Sequence, residues 1–177
     1  MQKKQLIGKV FVVVGFMAAP ALAENPATEL EAPSVEVIST TPLPGIGTPI
    51  QEVPANVQAA TGEQIQKQHS RDITEFLDDN LTSVNINASQ GNPFQPNVDF
   101  RGFTASPLLG APQGLSVFQD GVRVNESFGD TVNWDLIPQS AISSINLIPG
   151  SNPLFGLNTL GGSLAIHTKS GFEYPGY

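Results

Sequence analysis

His69 and His167 are the two side chains in this sequence whose ordinary pKa lies near neutrality. No cysteine accompanies them, so thiol nucleophiles, thiolate metal ligands and disulfides are all excluded. His69 falls between two helix-start signals and reads as exposed. His167 alternates with Ile166 and Thr168 and reads as a surface or interface position on a strand. Asp78 and Asp79 close a helical segment as a solvated pair, with no histidine nearby in the pattern to complete a site. The glycine-bearing run from Gly150 to Gly156 has the look of a phosphate loop. No Lys-Ser or Lys-Thr follows it, however, and Pro153 removes a donor amide. Its glycines read as turn residues with positive φ, as do Gly161 and Gly162. The reading is no catalytic residue, no metal ligand and no cofactor, because nucleophile, base and orienting group are not assembled.

Charge and hydropathy narrow the classes further. Lys3, Lys4 and Lys9 precede an apolar run over 10–19, and Ala21-Leu22-Ala23 follows as a small-residue cleavage site, the form of a secretory signal peptide over 1–23. Ten apolar residues fall short of the about 20 a spanning helix needs. With that segment removed, five cations face sixteen carboxylates, a net charge of −11. Such a surface repels phosphate backbones, so no nucleic-acid partner is expected and a basic protein surface is the favoured one.

The elements that must carry any site come after a proline-rich stretch. Residues 24–53 read as a flexible linker, since prolines at 26, 33, 42, 44 and 49, with Pro54 after them, leave no room for a helix or a buried strand. Within it Val35-Glu36-Val37-Ile38-Ser39-Thr40 is β-branched and proline-free, and forms a strand only by pairing with something else. A strand is expected over 56–60, then a capping box at Thr61-Gly62-Glu63-Gln64 opening a helix through Ile65. Asp72-Ile73-Thr74-Glu75 opens a second helix that buries Phe76 and Leu77 and ends at Asn80. Alternation predicts strands at Val84-Ile86-Ala88 and Val98-Phe100, a hairpin of 115–119 and 122–124 around Asp120-Gly121, and later strands over 142–148 and 163–168. The fold class is α+β: a small mixed β-sheet with short helices and long loops, occupying 54–170. The loops 104–114 and 125–135 are long for a compact domain and call for function or outside support.

The order of these features carries a family resemblance. Val98-Asp99-Phe100-Arg101-Gly102-Phe103, followed by Gly114-Leu115-Ser116-Val117-Phe118-Gln119-Asp120-Gly121-Val122-Arg123-Val124, resembles the plug domain of TonB-dependent outer-membrane receptors. The run Ile142 to Ser151 with Phe155-Gly156, Gly161-Gly162 and Thr168-Lys169 is similar to that plug's second half. The resemblance covers about 54–170. One departure is Pro149, where the family usually has Arg, so a barrel-wall ion pair from that position has no carrier here.

The resemblance implies that Val35, Glu36, Val37, Ile38, Ser39 and Thr40 add as a strand to the C-terminal domain of TonB, a mode that draws on main-chain hydrogen bonds. It implies Arg101 and Arg123 as contacts to the outer-membrane β-barrel of the intact receptor. Substrate-facing candidates are Asn92, Phe94, Gln95, Leu108, Leu109, Gln113, Phe128 and Trp134. The implied role is gating the energised uptake of a small scarce nutrient, such as a ferric siderophore, at the cell outer membrane, facing the periplasm. A 22-stranded wall needs more than about 200 residues, whereas 171–177 reads as the start of a missing barrel. The expectation is therefore a receptor fragment. The alternative is a freestanding exported plug-like binding or adaptor module in the periplasm.

Overall fold

The computed structural model describes residues 37–38, 47–88, 90–172 and 174. The signal-peptide segment lies outside these residues, as do Val35, Glu36, Ser39 and Thr40 of the TonB-binding candidate. The elements in chain order are β1 (Val37–Ile38), β2 (Thr48–Pro49), β3 (Gln58–Thr61), α1 (Gly62–Gln68), α2 (Ile73–Asn80), β4 (Val84–Asn87), β5 (Asn97–Phe100), β6 (Phe103–Ala105), β7 (Leu115–Gln119), β8 (Val122–Arg123), β9 (Ile142–Pro149) and β10 (Gly162–Thr168). Short 3₁₀ turns at Ile50–Glu52, Trp134–Leu136, Gln139–Ala141 and Pro153–Phe155 fill the connections.

The strands form a five-stranded sheet in the order β3-β9-β10-β7-β8, a three-stranded sheet β4-β5-β6 and a two-stranded pair β1-β2. The five-stranded sheet is mixed: β10 runs parallel to β7 and antiparallel to β9. The α+β class with small sheets, two short helices and long loops is thus the observed architecture.

Local chemistry explains the helices. Thr61 Oγ1 accepts from the Gln64 amide at 3.4 Å while Gln64 Oε1 accepts from the Thr61 amide at 2.8 Å, the reciprocal pair of a capping box. The helix runs to Gln68 rather than stopping at Ile65, because the residue that ends it is His69, in the left-handed region at φ 56. The exposed His69 is therefore a helix terminator. Asp72 caps α2, accepting from the Glu75 amide at 2.9 Å and the Thr74 hydroxyl at 2.6 Å. Asn80 acts one position earlier than a cap. It is the last helical residue, and its side-chain amide donates to the Phe76 carbonyl at 2.8 Å.

Burial pushes the Asp72 carboxyl up, but the bonds from Thr74 and Glu75, with Arg71 beside it, outweigh that and hold it below its ordinary value of 3.8. A folded pKa below the unfolded one stabilises the fold above the unfolded value, and that contribution is lost as pH falls through the folded pKa. Asp72→Ala is therefore expected to cost about 1 kcal/mol at pH 7, and progressively less as the buffer is acidified below about pH 4. Urea melts at several pH values check this; a pH-independent difference would contradict it.

The core is continuous from the helices to both larger sheets. Ile65, Ile73, Phe76 and Leu77 pack with Phe100 and Val98 of the three-stranded sheet and with Val117, Ile145, Leu147 and Ile166 of the five-stranded one. A second, smaller cluster joins Ile38, Phe118, Ile148 and Phe155, with Ile50, Val53 and Val57 packed against it. Phe118 and Phe155 meet edge to face at 5.5 Å.

That second cluster corrects the linker expectation. Residues 48–53 are ordered parts of the domain, and Val37 and Ile38 pair antiparallel with Pro49 and Thr48. Proline is tolerated at Pro49 because β2 has a single neighbouring strand, and Ile50 and Val53 supply the apolar anchors that proline counting overlooks.

Candidate functional site

The hairpin that opens the site is fixed by local backbone chemistry. Asp120 and Gly121 both have positive φ, 49° and 80°, as a two-residue turn matching strand twist requires. The Asp120 carboxylate then accepts from the amide and hydroxyl of Thr168 at 2.8 and 2.7 Å, tying the turn to the end of β10. β8 is short, and Asn125 replaces its continuation. Buried Asn125 accepts from the Val117 amide at 2.7 Å and donates to the Leu115 and Asp130 carbonyls, both at 3.2 Å.

Arg123 leaves β8 toward the loop 125–131. Its Nη2 donates to both carboxylate oxygens of Asp130, at 2.8 and 3.0 Å, with each side chain about three-quarters buried. Asn158 Nδ2 donates to Asp130 Oδ2 at 2.8 Å from a distant segment. These groups bound a groove of about 700 Å³ whose walls also include Gln113, Glu126 and Leu157. Leu109 of the loop 104–114 lies over Gly129, where a Cβ would come within 2.5 Å of Leu109 Cδ2.

The long loops carry internal supports that their length did not suggest. Gln113 Oε1 accepts from the Ser106 amide at 2.8 Å, closing the loop 104–114 on itself. The Glu126 amide donates to the Thr131 carbonyl at 2.8 Å, and the Val132 amide reaches the Ser106 carbonyl at 3.0 Å. Gln95 clamps two loops, accepting from the Trp134 amide at 3.2 Å and donating to the Asp135 carboxylate.

The predicted site residues divide accordingly. Asn92 is exposed and accepts from the Phe94 amide; Phe94 is half exposed, with the Arg71 guanidinium 5.7 Å from its ring centre. Gln95, Leu108 and Gln113 are partly buried, the two glutamines serving as loop clamps. Leu109 and Phe128 are exposed at 62% and 79%. Trp134 is 2% exposed and belongs to the core, so its ring offers no face to a cargo in this arrangement. Arg101 is exposed over the Phe100 ring at 5.1 Å, with no ion pair among the described residues. Arg123, the other barrel-contact candidate, pairs with the carboxylate of Asp130 in the same domain. Asn125, Asp130 and Asn158 were missed; Asn158 lies 28 residues from Asp130, and no local pattern announces that pairing.

Among the described residues no group of three acidic or histidine side chains could hold a metal ion, and no helix is long and apolar enough to cross a membrane.

A mixed sheet with two capped helices and stapled loops is the plug architecture, and residues 49–163 match the model of the TonB-dependent Receptor Plug Domain. The chain belongs to that family. Plug domains are parts of transport receptors of the outer membrane. Among solved structures, P. aeruginosa FpvA bound to ferric pyoverdine matches with a TM-score of 0.54 at 14% identity, over 68% of this chain and 15% of that one. The Serratia marcescens hemophore receptor HasR, in complex with its hemophore HasA and heme, matches with a TM-score of 0.51 at 22% identity, over 68% and 18%. These likenesses establish the fold, and the chain spans under a fifth of either receptor. No curated protein matches.

Proposed function

We propose that this domain gates the uptake of a scarce nutrient through a TonB-energised outer-membrane receptor, with 35–40 as the periplasmic segment that TonB engages. The observation that carries this reading is β1. Among the described residues Val37 and Ile38 form a two-residue strand with one antiparallel neighbour, ahead of a plug domain. A strand so short has little independent stability and is suited to exchange its partner for an incoming edge.

Ile38 is 1% exposed in the small cluster with Phe118, Ile148 and Phe155. Engagement that peels β1 away must re-expose that side chain, so the affinity for TonB is reduced by the fraction of time the segment is docked. Arg101 keeps its proposed role as a contact to the barrel wall. In the receptor this domain fills the lumen from the periplasmic side, and movement of β1 is transmitted to it.

The test is calorimetric titration of the chain with the C-terminal domain of TonB. Binding is expected, and deletion of 35–40 or the substitution Val37→Pro, which removes a ladder donor, is expected to weaken it at least tenfold. Unchanged affinity after the deletion would remove the segment from the reading.

A further inference from the structure

The groove beside Arg123 has a charge character that selects among cargoes, and the inference drawn from it rests on the gating reading above. Its volume of about 700 Å³ falls within the range of small-molecule sites. Among the described residues, three ionisable side chains line it: Arg123, Glu126 and Asp130. The one cation is already committed, since Asp130 takes both bonds from Arg123 Nη2, and Arg123 Nε reaches Asn125 Oδ1 at 3.4 Å. Asp130 is further held by Asn158. Glu126 is exposed and accepts from Asn133. The segments 104–114 and 150–161, which supply Ala111, Gln113, Leu157 and Asn158 to the groove, contain no charged residue at all. The loop 125–135 adds Glu126, Asp130 and Asp135 and no cation.

Among the described residues, an anionic ligand entering this face would find the Arg123 guanidinium already paired with Asp130 and would lie against carboxylates in a partly desolvated cleft, where like charges repel strongly. What the walls do offer is neutral hydrogen bonding from the Ser127 hydroxyl and from the Asn158 amide oxygen, whose own nitrogen is bonded to Asp130. The apolar rim of Leu109, Phe128 and Leu157, exposed at 62%, 79% and 86%, can cover the body of a ligand. We propose that the plug's share of the cargo site takes a polar molecule that is uncharged or cationic at neutral pH, bearing hydroxyl or amide groups, and discriminates against anionic chelates.

The experiment uses two diamagnetic probes of similar size and opposite charge: the gallium complex of desferrioxamine B, a cationic tris-hydroxamate, and gallium tris-catecholate, a trianion. Amide NMR spectra of the full chain are recorded through each titration. The cationic complex is expected to shift the amides of Ser127, Asp130 and Asn158 and to bind at least tenfold more tightly than the trianion. Glu126→Lys, at an exposed position, is expected to reduce that ratio at least tenfold. Equal or tighter binding of the trianion, an unchanged ratio in Glu126→Lys, or no shift at these amides with either probe would each overturn the proposal. The gating reading is judged separately by the TonB titration, which any of these failures leaves standing.

Discussion

Gly162→Ala is expected to yield a chain that no longer folds cooperatively. Gly162 opens the central strand β10, paired with Pro149 on one side and Leu115 on the other. A Cβ there would lie 2.5 Å from the Ile148 carbonyl oxygen and 3.2 Å from Pro149 Cα, and the backbone is at φ 154. The obstacle is main chain in the neighbouring strand, which cannot rotate aside as a side chain can. Relief requires β9 and β10 to separate at the point where the five-stranded sheet is built. Overpacking and backbone strain together place the cost at about 3 kcal/mol or more, a large share of the about 5–15 kcal/mol that a domain possesses. Gly171→Ala is the control, since nothing lies within 4 Å of a Cβ there, and it should leave the melt within about 0.5 kcal/mol of the parent. Circular dichroism and denaturant melts of both variants decide the matter. A Gly162→Ala melt matching that of Gly171→Ala would show that the β9–β10 register is looser than described.

Phe100→Ala is expected to cost about 3–5 kcal/mol. Phe100 is fully buried where β5 meets the helices and the larger sheet. Its neighbours are fixed by strand pairing on either side, to Val84 and Phe103. The vacated space therefore collapses only in part, and the cavity term adds to the lost transfer energy. Trp134, the single tryptophan, belongs to the same cluster and reports the transition by fluorescence. A loss below about 1 kcal/mol, as expected for a surface position, would mean that the three-stranded sheet is not packed on the core as described.

These two effects bear on the proposed gating. The sheet and helices form a unit held by one core, whereas among the described residues β1 is attached by two residue pairs and one buried isoleucine. A pull on 35–40 would thus detach β1 long before it strained the β9–β10 ladder. The groove is built from loops tied by side chains, Arg123 to Asp130 and Asn158 to Asp130, and by backbone bonds such as that from the Glu126 amide to the Thr131 carbonyl.

The parts legible in the sequence are those decided within a few residues. The capping box at Thr61, the N-cap at Asp72, the Asp120-Gly121 turn and the alternation at Val98-Phe100 each rest on contacts a turn or a pleat apart, so reading along the chain recovers them. So does the order of motifs that marks the plug. The proline count misled over 48–53 for the opposite reason: Ile50 and Val53 are ordered by a cluster whose other members are Phe118, Ile148 and Phe155. Trp134 looked like a loop aromatic, but the turn at Trp134–Leu136 swings it inward against strands far away in the chain. Arg123 matched a family position, yet its partner was settled by the loop that brings Asp130 back to it.

The sequence by itself therefore determined the helices, the principal hairpin, the fold class and the family, because short-range hydrogen bonding and hydrophobic period act on neighbours. Only the tertiary structure decided that β1 is docked, that the one cation of the groove is neutralised and that Trp134 is core. Each of these depends on residues brought together across tens of positions, where burial and charge pairing are set by packing and leave no local signature.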